Sequence, residues 1–374
     1  MNKWLFKWHS RLALVAFVPL LVISVTGSIL VFKHEIDSVL IPDMVRVDAS
    51  AALQAPRLTL DVLEQAVHEQ LPNYEIVGWA LFQDHARADL LYVMEYGTNI
   101  WRYILVNQYS GAVLAGPVDL DDHFTDWLLE LHYAFLIDDP GLVVTAIMAI
   151  LLCWLGISGL VLHRKFWKNF FTLRWNARLV VYFSDLHKMV GVLASPILLV
   201  LGITGGYWNI AHLVHEAQEH ANGEEHPLMT ERLYSDALSL QGLHDTSMQK
   251  LDNFVPTYIA LPWEPGAAIR FFGDVNDGNP LISQYSSMVS FDPQSGDWQS
   301  NFDIRDAGVG MRALDTFRRL HFGDFGGLIS KIIWAVVGMM PLVLAITGIS
   351  LWAMRRRKIR KVVKKRADKA RQAA

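Results

Sequence analysis

Four uninterrupted apolar runs, roughly Leu12–Phe32, Leu142–Leu162, Met189–Ile210 and Ile332–Trp352, constrain this chain more than any other feature. Each has about the 20 residues that a helix needs to cross ~30 Å of hydrocarbon. With 52% hydrophobic residues overall, they predict an α-helical integral membrane protein with four transmembrane helices. The first run is longer than a signal-peptide core and no small-residue cleavage pattern follows it, so it is expected to stay in the mature chain. Cys153, the single cysteine, lies inside the second run. Disulfides within the chain and cysteine-based metal or iron–sulfur sites are thereby excluded.

The runs form two related pairs, each marked by histidines. His9 stands 17 residues before Thr26-Gly27, and His187 stands 17 before Thr204-Gly205. His34 and His212 each follow the first histidine of their half by 25 residues. His132 precedes Ser158-Gly159 and His321 precedes Thr347-Gly348, with 27 residues from histidine to glycine both times.

Charge sets the expected orientation. Of 33 Lys and Arg, 19 lie in three short segments: before the first run, in Arg164–Arg178, and in the tail from Arg355. Such segments stay in the cytoplasm, which puts both termini inside and the stretches 33–141 and 211–331 outside. The outer stretches hold 35 of the 37 acidic residues. Retention of basic residues accounts for much of that imbalance, and a role in attracting cations is the weaker reading. The basic tail reads as a topology signal that also attracts anionic lipid, not as a nucleic-acid binder.

The outer stretches carry soluble-domain patterns. LTLDVLEQAVHEQL has apolar residues at helical spacing, and YEIVGWALF, DLLYVMEYG and IWRYILVNQYSGAVLAG read as strands. Pro256–Leu261, Ala268–Gly273 and Ser286–Asp292 repeat the strand theme, with Ser295-Gly296 where the first stretch has Ser110-Gly111. The expected organisation is an N-terminus and helix one (1–34), a first α+β module (35–130), an amphipathic segment and helix two (131–163), and a basic loop (164–180). Helix three (181–211), a second module (212–316), an amphipathic segment and helix four (317–354), and a basic tail (355–374) complete it. In DWLLELHYAFLIDDPG and FRRLHFGDFGG a short helix bearing the histidine should break at Gly or Pro before the span begins. Pro19, Pro196 and Pro341 are expected to kink three spans.

The motif LH(K/R)xxG…TG, the [DN]-x-x-[ST]-G turns and this order of parts resemble the PepSY-associated transmembrane helix family. The resemblance implies two periplasmic PepSY-like α+β modules on a bacterial inner-membrane protein with both termini cytoplasmic. Within the family, the four-helix proteins of iron uptake are similar to ferric-siderophore reductases that carry b-type haem. That likeness implies haem b, two per chain, and a ferric siderophore or other Fe(III) chelate as substrate. Some relatives carry a fused flavin and nicotinamide reductase domain. Here only 22 residues follow Trp352 and no Gly-rich dinucleotide fingerprint occurs, so a membrane quinol or a cytoplasmic reductase is expected as donor.

The histidines also carry weight by themselves. Ionisable side chains near membrane depth are expensive and point to function, and imidazole is a usual axial ligand of haem iron. On the expected topology His9, His163 and His187 lie near the inner face, and His34, His132, His212 and His321 near the outer one. His9 with His187 is the first choice for an inner bis-histidine site, and His132 with His321 for an outer one. His34, His212 and His163 are second choices. A solitary interfacial histidine is the plain alternative, evenly weighted for His163 beside Arg164 and Lys165. Arg11 and Lys188 could pair with haem propionates, although snorkelling anchors explain them equally well. The Thr-Gly and Ser-Gly pairs read as helix-packing positions.

In HLVHEAQEHANGEEH, the histidines His212, His215, His220 and His226 suggest a metal site, but acidic surroundings favour a solvated face. His220 falls one residue late for a zinc-peptidase motif, and no phosphate-binding loop occurs. Trp79, Trp101, Trp263 and Trp298 are possible docking platforms, with most expected in domain cores. The expected function is reduction of a periplasmic Fe(III) chelate, releasing Fe(II). A non-enzymatic ligand- or partner-binding protein or transporter component without redox cofactor is one alternative. A haem protein that reduces a quinone or another metal is the other.

Overall fold

The computed structural model describes residues 2–48, 56–164, 173–222 and 228–373. Residues 165–172 of the basic stretch between the second and third runs, and His226, lie outside them. The chain divides into two compact units: Met1–Val31, Leu128–His215 and Leu320–Ala374 form a helical unit, and Phe32–Trp127 with Glu216–Arg319 form a sheet unit.

The helical unit begins with α1 (Lys3–Val15), capped by Asn2, whose side chain accepts from the amides of Trp4 and Leu5. α2 (Phe17–Leu30) follows at an angle of 66°. The cause of the bend lies one turn on. Pro19 has no amide to offer the Val15 carbonyl and its ring crowds that oxygen, so the helix breaks where α1 ends. The first span is therefore a bent pair, with the kink expected from Pro19 sharp enough to separate two helices.

The second run is α7 (Asp138–Leu162). Val143, Ile147, Ile150, Trp154, Ile157 and Val161 recur along it every three or four residues, and all are exposed. A stripe of large apolar side chains outside the protein core is the lipid-facing side of a span. Its opposite face buries the small and polar Gly141, Thr145, Ala146 and Ser158. The third run lies in α8 (Leu179–Asn222), 44 residues without a break. Pro196 sits inside it, and the helix continues through it. The loss of one backbone bond is tolerated within a long helix whose neighbouring bonds stay intact.

The fourth run is α11 (Gly327–Gly338) followed by α12 (Met340–Ala373). Pro341 denies an amide to Val337 and the helix is interrupted at Met339, while Gly327–Val363 still runs as one apolar span of 37 residues. Among the described residues, three helices are long and apolar enough to cross a membrane, and four if the bent pair counts as one span.

Both histidine-bearing segments are short helices that end in sharp turns. α6 (Phe124–Ala134) is followed by Phe135, Leu136 and Asp138 at φ of 53°, 62° and 49°. α10 (Val309–Phe322) gives way to Gly323 at φ 70° and Gly327 at φ 61°. The first turn is so tight that a Cβ on Gly141 would stand 1.6 Å from the Ala134 carbonyl oxygen. Thr145 Oγ1 donates to the Tyr133 carbonyl at 2.6 Å and holds the turn against α7. In the second, Ser330 Oγ donates to the Gly323 carbonyl at 2.7 Å and Trp334 Nε1 to the Leu320 carbonyl at 2.6 Å.

The sheet unit also opens with helices, α3 (Lys33–Leu40) and α4 (Pro42–Val45). Helix α5 (Leu60–Gln70) then precedes β1 (Tyr74–Ala80), β2 (Asp89–Glu95), β3 (Trp101–Val106) and β4 (Val113–Asp119). Helix α9 (Leu240–Lys250) likewise precedes β5 (Val255–Ala260), β6 (Ile269–Asp274), β7 (Ser287–Phe291) and β8 (Trp298–Phe302). Thr59 and Ser239 cap the two helices, accepting from the amides of Val62 and Gly242. The two α+β modules expected as separate domains share one eight-stranded antiparallel sheet in the order β4-β3-β2-β1-β5-β6-β7-β8.

The halves join through Gly78, Trp79 and Ala80, paired with Ala260, Ile259 and Tyr258. One hydrophobic core then serves both, with Leu63 of α5, Leu243 of α9, Trp79, Ile259 and Phe271 packed together. The duplicated hairpin turns match in detail. Gly111 and Gly296 take φ of 73° and 74°, and Asn107 and Asp292 side chains accept from the two amides preceding each glycine.

Candidate functional site

The histidines marked by the sequence repeat are tied to hydroxyl groups of the Thr-Gly and Ser-Gly pairs. His9 Nδ1 on α1 lies 2.7 Å from Ser158 Oγ on α7, and His187 Nδ1 on α8 lies 2.8 Å from Thr347 Oγ1 on α12. His132 Nδ1 at the end of α6 lies 3.1 Å from Thr26 Oγ1 on α2. His321 Nδ1 at the end of α10 lies 2.9 Å from Thr204 Oγ1 on α8. Every bond joins two elements of the same half of the chain, and the halves use the same scheme.

The glycine after each hydroxyl residue makes room for the ring. A Cβ on Gly27 would lie 2.6 Å from His132 Cε1, and one on Gly205 would lie 2.9 Å from His321 Cε1. At Gly348 and Gly159 the corresponding distances to His187 and His9 Cε1 are 3.4 and 3.6 Å, ordinary contact. The first two glycines are thus required by close approach, and the other two tolerate it.

Two levels result. At one, the His132 and His321 rings lie with centroids 6.3 Å apart and planes inclined by 53°. At the other, His9 and His187 both line a cavity between the helices, about 1150 Å³ including the part open to the surroundings. Its walls are mostly apolar, its glycines are Gly156, Gly159, Gly191 and Gly348, and His163 and Lys188 complete its polar lining together with Ser10 and Ser195. Low polarity, glycine surfaces and a few convergent polar groups suit a flat, largely apolar ligand.

The remaining candidates separate from these levels. Arg11 holds its guanidinium 5.9 Å from the centre of the Trp8 ring and is not part of the cavity lining. His34 sits on α3 in the sheet unit. His212 is 25 residues beyond His187 on the same unbroken helix, ~37 Å along it, and lines no part of the cavity. Among the described residues no group of three His, Cys, Asp or Glu is placed to hold a metal ion, and His226 of the His212, His215 and His220 segment lies outside them. Trp79 is fully buried in the sheet core, whereas Trp298 on the edge strand is exposed.

What sequence reasoning missed is the partner of each histidine. By sequence the Thr-Gly and Ser-Gly pairs read as packing positions, yet each hydroxyl bonds an imidazole from a segment 106 to 160 residues away. The signal available was their fixed place in the histidine repeat.

The arrangement belongs to a known protein family. A model of the PepSY-associated TM region matches residues 6–355, nearly the whole chain. This protein is a member of the PepSY-associated transmembrane family. An 80-residue stretch of the chain is 32% identical to the uncharacterized protein PA4219 of Pseudomonas aeruginosa. That match covers 21% of this PepSY-associated chain and 20% of the relative, so it spans about a fifth of the relative's length.

Proposed function

We propose that this PepSY-associated protein is an inner-membrane haem b reductase that passes electrons outward to an Fe(III) chelate, such as a ferric siderophore, and releases Fe(II). The observation that carries the reading is the close approach of His132 and His321. Two imidazoles ligating one metal from opposite sides at ~2 Å each have ring centres ~6 Å apart, and these rings stand 6.3 Å apart. Two protein ligands are too few for a bare ion, which takes four or more. They suit a metal whose other donors come from a macrocycle.

His132 with His321 would hold one haem and His9 with His187 the other. When bound, the haems supply one-electron redox chemistry and thus a path between the two levels. The chain's own residues set the conditions for it. The hydroxyl partners orient the imidazoles, Gly27 and Gly205 admit the rings, and the apolar lining of the inner cavity would keep water from a haem held there. Lys188 at that cavity provides a positive charge for an anionic edge of the ligand. Oxygen-rich chelators favour Fe(III) over the softer Fe(II), so one electron per iron weakens the complex without hydrolysis. The electron donor is a quinol or a cytoplasmic reductase.

The visible spectrum of the purified protein, oxidised and reduced, with haem counted per chain, tests the reading. A low-spin b-type spectrum with two haems is expected, falling to one in His321→Ala and in His187→Ala. A protein that stays colourless when haem is supplied during expression would sink it and bring forward a binding or transport role.

A further inference from the structure

We propose that Thr26, Ser158, Thr204 and Thr347 are positioning residues that hold all four histidines in one tautomer, with hydrogen on Nδ1 and a bare Nε2 left to bind metal. The effect on a metal rests on the haem reading above, whereas the tautomer follows from the hydrogen bonds alone. A hydroxyl has one hydrogen to donate. Thr26 Oγ1 gives it to the Val22 carbonyl at 2.8 Å, Thr204 Oγ1 to Val200 at 2.8 Å, and Thr347 Oγ1 to Val343 at 2.7 Å. Each is the carbonyl four residues back on the same helix. With its hydrogen committed, the oxygen meets the imidazole only as an acceptor, so Nδ1 must be the donor.

His132 supports the same tautomer from a second direction. Its Nδ1 also lies 3.0 Å from the Ile23 carbonyl oxygen, which can only accept. Ser158 is the loosest member, because its oxygen reaches the Leu155 carbonyl at 3.3 Å. Its variant should therefore have the smallest effect.

An imidazole that gives its N–H to a fixed acceptor becomes a better donor through the other nitrogen, and loss of such a partner typically costs 10- to 100-fold in metal affinity. A stronger donor favours the ferric state. Thr204→Val and Thr26→Val keep the side-chain shape and remove the acceptor, and Thr204→Ser restores it.

Two measurements on the full-length protein decide the matter. In metal-free protein labelled with ¹⁵N-histidine, the His321 signal, identified by its loss in His321→Gln, should report hydrogen on Nδ1. Hydrogen on Nε2 instead would overturn the proposal. In haem-loaded protein, Thr204→Val should shift the ferric-to-ferrous ratio at a given potential about tenfold toward ferrous, a rise of 59 mV in midpoint for a one-electron couple. Thr204→Ser should return it. Unchanged midpoint and haem retention in both valine variants would overturn the positioning role. A wild-type chain that takes up no haem would instead refute the reductase reading, and the nitrogen spectrum would still decide the tautomer.

Discussion

At the scale of single residues, the clearest consequence outside the membrane helices comes from a buried charge network in the sheet unit. Glu75 accepts from Tyr96 Oη at 2.6 Å, from His68 Nε2 at 3.2 Å and from Arg232 Nε at 3.2 Å, while Glu64 accepts from Tyr234 Oη at 2.7 Å. Burial works against the charged form of His68, but the bond and charge of Glu75 outweigh it and leave the pKa raised. Burial likewise pushes Glu75 up, yet the bonds from His68 and Tyr96 bring it below its ordinary value. Burial dominates at Glu64 and raises it. The raised histidine contributes stability that is complete below about pH 6.5 and is lost as pH rises through its folded pKa. The lowered Glu75 contributes stability present above its ordinary 4.5 and lost as pH falls through its folded value. The raised Glu64 costs stability as it ionises above 4.5. Thermal melting of the intact protein should therefore come ~2–4 °C lower at about pH 8 than at about pH 6, and His68→Ala should remove most of that difference. An undiminished difference in the variant would show that other groups set it.

At the scale of elements, the turn that presents His132 has no slack. Gly141→Ala places a methyl group against the Ala134 carbonyl, which belongs to the short helix carrying that histidine. Neither side can yield, because Thr145 bonds the Tyr133 carbonyl and accepts from Asn209 Nδ2 at 2.5 Å. The substitution should cost about 3 kcal/mol or more and release α6 from α7, seen as faster proteolysis within 135–140. Normal protease resistance would mean that the turn relaxes. This much was legible in the sequence, since histidine, then glycine or proline, then an apolar run marks a helix broken before a span. The bend between α1 and α2 was legible only in part. Pro19 announced a kink, but the run of apolar residues around it has no polar break to show that two separate helices meet at Ala16.

At the scale of the whole molecule, the continuous sheet could not be read from the sequence. Strand and turn patterns are local and located β1 to β3 and β5 to β7 well, whereas the β1–β5 pairing joins residues about 180 positions apart and leaves no periodic trace. The seam has one exposed weakness. A Cβ on Gly78 would lie 2.1 Å from Tyr258 Oη, and Tyr258 is hemmed in by Tyr92, Phe272 and Tyr285. Gly78→Ala should destabilise the sheet unit by about 1–3 kcal/mol, measured by denaturant melting, with hydrogen exchange rising first at Ala80, Leu81 and Leu261 along the seam. Exchange that rises evenly over all eight strands would contradict a local origin.

The pairing of His132 with His321, and of His9 with His187 around one cavity, draws each pair from both halves of the chain. An assembly of two identical half-chains would be obliged to keep paired positions alike, because every change would appear twice. Joined in one polypeptide, the halves are free to become unequal. They already are at Ser158 opposite Thr347, where the two imidazoles of one level rest on different hydroxyls. A lopsided site of this kind gives each level its own adjustable setting, which two equal copies could never have.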